Sequence, residues 1–170
     1  MTYTWAGATT ATGLAFRPDL IWIKDRISTY DHRIVDSLRW PNKYLSSNTT
    51  SSEATSGGDV SVINADGFTT GGNLATSNVG DKYVAWNWRK SQTSWFAINV
   101  FSHVNGTYDD IYHNLGNYAK FSILKQIDGN NNWEVCHRDI CTAGFGLYLN
   151  DTSSSHSSGK ISIQWTNYNR

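Results

Sequence analysis

Short apolar runs that recur between turn-forming residues are the feature that most restricts how this chain can fold. Runs rich in β-branched and aromatic residues, and bounded by Gly, Asn, Asp or Ser, are typical of β-strands. Such runs lie at residues 19–24, 32–38, 43–47, 60–64, 82–90, 94–104, 120–126, 133–138, 146–150 and 161–165. No stretch shows convincing 3.6-residue periodicity. The pattern therefore predicts an all-β fold.

The predicted architecture is a single antiparallel β-sandwich, jelly-roll or lectin-like, over residues 1–170, with roughly ten strands. Composition supports it, because the chain has eight Trp, nine Tyr and six Phe, and aromatic residues favour strands. Residues 19–24 are nearly all apolar, as in a strand buried on both faces. Core packing accounts for most of the aromatic residues in the predicted strands, namely Trp22, Trp86, Trp88, Trp95 and Phe96.

An internal repeat divides the predicted sandwich into two related halves, over residues 13–58 and 113–159. Residues 19–36 align with residues 120–137 at a constant offset of 101 without a gap. After a small insertion, the segment beginning at Tyr44 echoes the one beginning at Tyr148. Lys24 and Lys125 occupy matching positions, and we expect each to mark the point where a strand leaves the core and meets water.

Charge and hydropathy narrow the possible partners. Fourteen basic residues balance fourteen acidic ones, which gives no support to a nucleic-acid partner. No apolar stretch approaches the roughly 20 residues that cross a bilayer, so we expect no membrane insertion. An exposed strand edge would allow oligomers to form.

Cys136 and Cys141 are expected to be two reduced, buried thiols, and the sequence indicates neither a metal site nor a cofactor.

The sequence offers few groups for catalysis. Asp31, His32 and Asp36 lie close together, as do His137 and Asp139. The first group follows a turn, where solvated polar residues are common. No nucleophile elbow, zinc-binding helix motif or phosphate-binding loop occurs. We therefore expect no enzyme activity, although two distant carboxylates of a glycan-cleaving enzyme would escape a search for local motifs.

Several aromatic residues lie in or beside predicted turns. The candidate contact residues are Tyr30, Trp40, Tyr108 and Tyr112. Exposed aromatic rings next to Asn and Asp can stack on a sugar ring while the polar groups bind its hydroxyls. They can equally anchor a protein neighbour. Packing of the loops on themselves is the third interpretation.

The segments TGLAFRPDLIWIKDR, VDSLRWPNKYLSSNTTSSEAT, NADGFTTGG and GDKYVAWNWRK resemble a repeat module of tailed-bacteriophage virion proteins, of the tail-fibre or fibre-like type. The resemblance covers about residues 12–90 and weakens beyond them. There, His113, Leu115 and Gly116 keep the pattern, whereas Ala119-Lys120 replaces the pair Pro18-Asp19. The resemblance implies a lectin-type sandwich on a virion surface, made in the host cytoplasm, and it implies no catalytic residue.

These observations lead to one expectation about function and two alternatives. The leading expectation is a non-enzymatic virion-surface protein that binds other virion proteins, either as a capsid decoration or as a subunit of a tail or fibre appendage. The first alternative is a tail-fibre module that recognises a host-surface glycan. The second is a glycan-degrading enzyme.

Overall fold

The computed structural model describes residues 2–4, 7–103, 110–139, 141, 145–153 and 156–157. This part of the chain is almost entirely β-structure, and every strand pairing in it is antiparallel, which confirms the predicted fold class. The strands are β1 (Thr2–Thr4), β2 (Thr10–Ala11), β3 (Leu20–Asp25), β4 (Arg33–Asp36), β5 (Lys43–Tyr44), β6 (Ala54–Thr55), β7 (Val60–Asn64), β8 (Gly67–Thr70), β9 (Lys82–Trp88), β10 (Phe121–Leu124), β11 (Glu134–His137), β12 (Phe145–Tyr148) and β13 (His156–Ser157). One helical turn, α1 (Leu74–Ser77), precedes β9.

Two sheets from the first half of the chain form a sandwich. The first sheet has the strand order β1-β9-β3-β4, and the second has the order β2-β8-β7. Ile21, Ile23 and Val35 of the first sheet are buried in one cluster with Val60 and Phe68 of the second. Burial of these apolar groups is the main source of stability in such a packing.

The opposite face of the first sheet carries a second apolar cluster. Trp22 pairs with Ile34 on β4, so both side chains point away from the sandwich core. Ile34 and Leu45 are buried there against Trp133 from the second half of the chain. Strand β3 therefore has apolar contacts on both faces, as its nearly continuous apolar sequence predicts.

The second half of the chain contributes a sheet with the order β10-β11-β12-β13. The first half contains a matching order of strands, β3-β4-β5-β6. Ladders join β3 to β4 and β5 to β6, and an isolated bridge between Ile34 and Leu45 connects β4 to β5. We call these two four-strand units the first and second meanders.

The two meanders share their register. In the first hairpins, Trp22 pairs with Ile34 and Ile123 pairs with Val135, an offset of 101 residues. From β5 onward the offset is 102, because the Lys43–Thr55 pair corresponds to Phe145–Ser157. The insertion is thus one residue, and the alignment of Tyr44 with Tyr148 is wrong. The internal repeat stays a prediction, which the matched register supports.

The lysines at matching positions close matching loops. Lys24 Nζ donates to the carbonyls of the first and fourth residues after it, at 2.7 and 3.3 Å. Lys125 Nζ donates to the same two positions, at 2.8 and 2.9 Å. Each ammonium group thus bonds two carbonyls of one turn. The lysines therefore hold the hairpin turns, which is a more specific role than meeting water at a strand end.

A loop of the second meander docks on the first. Trp133 is buried, and its Nε1 donates to the carbonyls of Ser46 and Thr49 at 3.0 and 3.2 Å. Nearby, the backbone N–H of Glu53 donates to the carbonyl of Ile127 at 2.7 Å. A tryptophan combines a large apolar area with one polar atom that needs a partner when buried. The Trp133 indole therefore holds the two halves together through both apolar packing and hydrogen bonds.

Two predictions about the interior of the fold are wrong, namely the strand that begins at residue 94 and the packing of Trp86 and Trp95 in the core. Residues 94–103 form no strand, and both tryptophans are exposed. Strand β9 turns Tyr83 and Ala85 toward the core, so its tryptophans fall on the outer face. Residue 104 and the predicted strand at residues 161–165 lie outside the described residues.

The two cysteines form a disulfide rather than separate thiols. Cys136 lies on β11, and Cys141 follows the turn after it. Their Cα atoms are 5.6 Å apart, within the range that a disulfide spans. The sequence spacing did not reveal that the turn brings the second cysteine back beside the strand.

A buried ion pair bridges the two sheets of the sandwich. Arg33 Nε on β4 lies 3.3 Å from Asp59 Oδ2, and both side chains are largely buried. The guanidinium group also lies 4.3 Å from the centre of the Tyr44 ring. Burial raises the pKa of Asp59, and the charge of Arg33 opposes that shift. The arginine thus offsets part of the cost of burying this carboxylate.

We predict that Arg33→Met lowers the free energy of unfolding by about 3 kcal/mol, because it leaves the buried Asp59 without its counter-charge. The matched control is Arg17→Met: the Arg17 side chain is 53% exposed and lies 3.8 Å from Asp19, so this pair should contribute less than about 1 kcal/mol. Chemical denaturation of both variants measures the difference. Equal losses for the two would contradict the role of the buried pair.

Candidate functional site

Trp40 stands out at one end of the first sheet. Its side chain is 71% exposed, and its backbone has a φ of 88°. A positive φ in a bulky residue costs of order 1–3 kcal/mol and persists only where the surroundings enforce it. The turn after β4 therefore presents this indole in one fixed backbone conformation.

A buried charge network enforces that turn. Asp36 Oδ1 accepts hydrogen bonds from the backbone N–H groups of Leu38 and Arg39, at 3.0 and 2.9 Å. Arg39 Nε lies 2.6 Å from Asp36 Oδ2, and its Nη1 lies 3.2 Å from Glu53 Oε2. The ion pairs are largely shielded from water, so they lose little strength to screening. They fix the backbone immediately before Trp40.

Other aromatic residues gather at the same end of the sheet. Strand β9 ends there, because Trp88 pairs with Leu20 at the start of β3. The Trp88 ring stacks on Phe96, with ring centres 6.1 Å apart. Trp95, beside Phe96, is 63% exposed and has a φ of 54°. Sequence reasoning placed both Trp95 and Phe96 in a strand, and so it missed Trp95 as an exposed group.

The Asp19 carboxylate links three segments at this end of the first sheet. Its Oδ1 accepts from Ser37 Oγ at 2.7 Å, and its Oδ2 accepts from the backbone N–H of Lys90 at 2.8 Å. One carboxylate thus joins the start of β3, the turn before Trp40 and the loop after β9. Pro18-Asp19 is therefore a structural device in the first half of the chain.

A cavity of about 320 Å³ opens beside the loop after β9. The residues that line it include Lys90, Gln92, Phe96, His113 and Asn114. Its volume falls at the lower end of the range for small-molecule sites. Amide, imidazole and ammonium groups beside an aromatic ring suit a ligand that has hydroxyl groups and an apolar face.

Tyr112 precedes His113 of that cavity and is 67% exposed. We call the surface formed by Trp40, Trp95, Tyr112 and the cavity the aromatic end. We group Trp40 and Tyr112, two of the four predicted contact residues, in one candidate site because Trp40 follows β4 at this end of the sheet and Tyr112 directly precedes a residue that lines the cavity. Trp95 joins them.

Tyr30 does not belong to the aromatic end, and Tyr108 lies outside the described residues. Tyr30 precedes β4 whereas Trp40 follows it, so at least roughly 13 Å of extended strand separates them. The Tyr30 carbonyl accepts from Lys24 Nζ at 2.9 Å, within the hairpin turn. Its place at the opposite end of the hairpin rules out one small ligand touching both Tyr30 and Trp40.

The candidate catalytic residues bind separate structural partners. Trp22 Nε1 donates to His32 Nδ1 at 2.8 Å, and Asp36 belongs to the ion pair with Arg39. His137 and Asp139 are 3.7 Å apart at an exposed turn. Within the described ranges, no group of three or more His, Cys, Asp or Glu is arranged to hold a metal ion.

A second, shallow cavity of about 350 Å³ is lined in part by Asn48 and Asn150. These residues occupy matching places in the two meanders. Asn48 Oδ1 accepts from the backbone N–H of His32, and Asn150 Oδ1 accepts from that of Trp133. Both amides serve the fold, so we assign this cavity no ligand.

In the part of the chain that the structure describes, no helix has the length and apolar character to cross a membrane.

We predict that the pKa of His32 lies below 6.5, because burial and then the charge of Lys24 lower it, against the opposing effect of Asp31. The unfolded state then takes up the proton first. The contribution of His32 to stability is thus complete above pH 6.5 and decreases as the pH falls toward the pKa of the folded state. An NMR titration, and unfolding of His32→Gln across this range, measure both effects. A titration midpoint at or above 6.5 would contradict the prediction.

The chain matches a known protein family. The family described as Domain of unknown function (DUF7483) matches residues 1–169. Since the match covers nearly the whole chain, the protein belongs to that family. Neither a curated protein nor a solved structure matches the chain.

Proposed function

We propose that this member of the DUF7483 family is a non-enzymatic structural protein on the surface of a bacteriophage virion, where it contacts other virion proteins. The observation that carries the proposal is the aromatic end, where Trp40 is 71% exposed on a turn fixed by buried ion pairs. The resemblance of residues 12–90 to the phage module supplies the virion context.

The chemistry of the aromatic end suits a protein interface. Trp and Tyr are enriched among residues that contribute most to binding, since they bury a large area with few rotatable bonds. Trp40 and Trp95 both have positive φ values. Because buried ion pairs hold the turn before Trp40, less conformational entropy is lost there when a partner binds. A surface of this kind binds a neighbour firmly without further folding.

The charge balance of the chain agrees with a role within a crowded particle. The formal net charge is zero at pH 7, so long-range repulsion between neighbouring copies is weak. We place the protein either on the capsid as a decoration or on the tail as a subunit of a fibre appendage. Copy number separates the two locations, because a head carries hundreds of equivalent positions and a tail about a dozen.

We predict that the protein is present in purified virions and that Trp40→Ala reduces its copies per particle several-fold. Quantitative mass spectrometry of particles from the phage that encodes the chain measures both. The matched control is Tyr30→Ala, which removes an aromatic ring at the opposite end of the hairpin and should leave incorporation unchanged. Absence of the wild-type protein from mature particles rejects the proposal.

The cavity at the aromatic end favours a second candidate function, recognition of a host-surface glycan. Gln92, His113 and Asn114 line it together with Phe96, and the exposed Tyr112 directly precedes His113 in the sequence. Sugars present hydroxyl groups at their edges and C–H groups on their faces. Amides can therefore bind the edges while an aromatic ring packs on a face.

For this candidate we predict binding on a glycan array that decreases at least tenfold, about 1.4 kcal/mol, in Tyr112→Ala and in Asn114→Ala. Tyr30→Ala again serves as the control and should bind like the wild type. A blank array with folded protein counts against glycan recognition and leaves the structural role in the virion standing. Equal loss in the control would point to misfolding rather than to a site at the cavity.

A further inference from the structure

Two buried aspartates meet at the end of the first sheet that lies opposite the aromatic end. Asp25 is the last residue of β3, and Asp81 immediately precedes β9. The two residues are only 2% and 8% exposed. Ser28 joins them, because its backbone N–H donates to Asp25 Oδ1 and its Oγ donates to Asp81 Oδ2, both at 3.0 Å. Burial of one carboxylate is costly, and a second one beside it adds repulsion between like charges.

One oxygen of this pair has no hydrogen-bond donor. Asp25 Oδ1 accepts from the backbone N–H groups of Ile27 and Ser28, at 2.7 and 3.0 Å. Asp25 Oδ2 is buried as well, yet it accepts from no donor in the part of the chain that the structure describes. A buried oxygen of this kind is rare in native proteins unless a water or an ion binds it. The atom therefore points to a bound ligand.

No basic side chain of the described residues neutralises the two aspartates. The ion pairs found among these residues involve other carboxylates. Lys24 directly precedes Asp25, but the alternation of the strand turns its side chain to the opposite face. There its Nζ donates to three carbonyls of the turn. Arg26, on the other side of Asp25, is exposed to solvent.

The titration behaviour of neighbouring groups agrees with two carboxylates in close contact. The pKa of Tyr83 is raised to about 12, mainly by burial and in addition by the charges of Asp25 and Asp81. The hydrogen bond from Asn78 lowers the pKa of Asp81 most, and burial opposes it. The side chains of Ser28 and Asp25 lower the same pKa further. Two carboxyl groups bond each other only through a proton, so this pair is close enough to share one positive charge, a proton or a metal ion.

The oxygen groups at this place suit a calcium ion. Ca²⁺ takes about six to eight oxygen ligands from carboxylates, amide carbonyls and water, in a flexible geometry. Here two carboxylates supply the negative charge, and neutral oxygens of Ser28 and Asn78 lie beside them, since both residues hydrogen-bond Asp81 Oδ2. Water completes such a coordination shell. Zinc prefers the nitrogen of His and the sulfur of Cys, and neither residue type belongs to the pair.

We propose that Asp25 and Asp81 bind one calcium ion, which joins the turn after β3 to the start of β9. The ion would give Asp25 Oδ2 a partner and remove the repulsion between the two carboxylates. The proposal goes beyond the function proposed above. The site lies at the other end of the sheet from the aromatic end, because Asp25 pairs with Tyr83 whereas Leu20 pairs with Trp88.

Isothermal titration of CaCl₂ into the EDTA-treated full chain tests the proposal. The expected result is one ion per chain. At a hundredfold excess of free Ca²⁺ over its Kd, the thermal unfolding midpoint should rise by roughly 5–10 °C. Asp81→Asn and, separately, Asp25→Asn should weaken binding at least roughly tenfold, since each removes one of the two charged ligands. The matched control is Asp31→Asn, which removes the same charge from an exposed residue of the same hairpin turn and should bind Ca²⁺ like the wild type.

Asp81→Asn provides a second measurement, made without calcium. Its amide oxygen can still accept from Ser28 and Asn78, and its amide N–H can donate to Asp25 Oδ2. In EDTA this variant should therefore be at least as stable as the wild type, while added Ca²⁺ no longer shifts its unfolding midpoint.

A wild-type protein that shows neither heat of binding nor a shifted midpoint up to about 10 mM Ca²⁺, above the range of weak calcium modules, would overturn the proposal. The two carboxyls would then share a proton. Binding that survives both Asp25→Asn and Asp81→Asn would overturn it equally. The assay needs neither a virion nor a glycan, so its failure is distinct from failure of the proposed function.

Discussion

The burial of both faces of the β3–β4 hairpin is the constraint on which the rest of the structure depends. On one side, Ile21 and Ile23 pack within the sandwich core. On the other, Ile34 receives Trp133 from the second half of the chain. A single hairpin thus belongs to two apolar layers at once, and its apolar side chains must satisfy both. Loss of either contact would leave a sheet face open to water.

Sequence patterns were sufficient for the parts of the fold that local chemistry dictates. Alternation and turn residues located the long strands, and the constant offset of 101 located the matching hairpins before their register was known. Two-residue strands such as β2 carry no periodic signal and arise only from tertiary pairing. The strand predicted at residues 94–103 is absent for a different reason. These residues are apolar enough for a strand, yet they join no sheet among the described residues beyond one isolated bridge between Ser91 and Phe96, and Trp95 remains exposed.

The candidate site was predictable in its residues more than in its arrangement. Trp40 and Tyr112 were recognisable as aromatic groups near turn residues, which indicates exposure. The placement of the Trp40 turn beside the loop after β9 depends on Asp19, which joins three segments distant in sequence. The positive φ of Trp40 was equally hidden. Its cause is a charge network that includes Glu53, thirteen residues further along the chain.

The second meander is attached to the first through loops, and this attachment should resist a pulling force less well than the sandwich does. Strands β3 and β9 are joined by six consecutive residue pairs, whereas the described contacts that fasten the second meander come from one loop, through the Trp133 indole and hydrogen bonds to residues 50–53. Tension on the chain beyond β13 would therefore detach this unit before the sandwich yields. Residues 89–120 would then extend as a tether of roughly 110 Å. A protein built in this way absorbs a pull by lengthening at one point while its folded body stays in place.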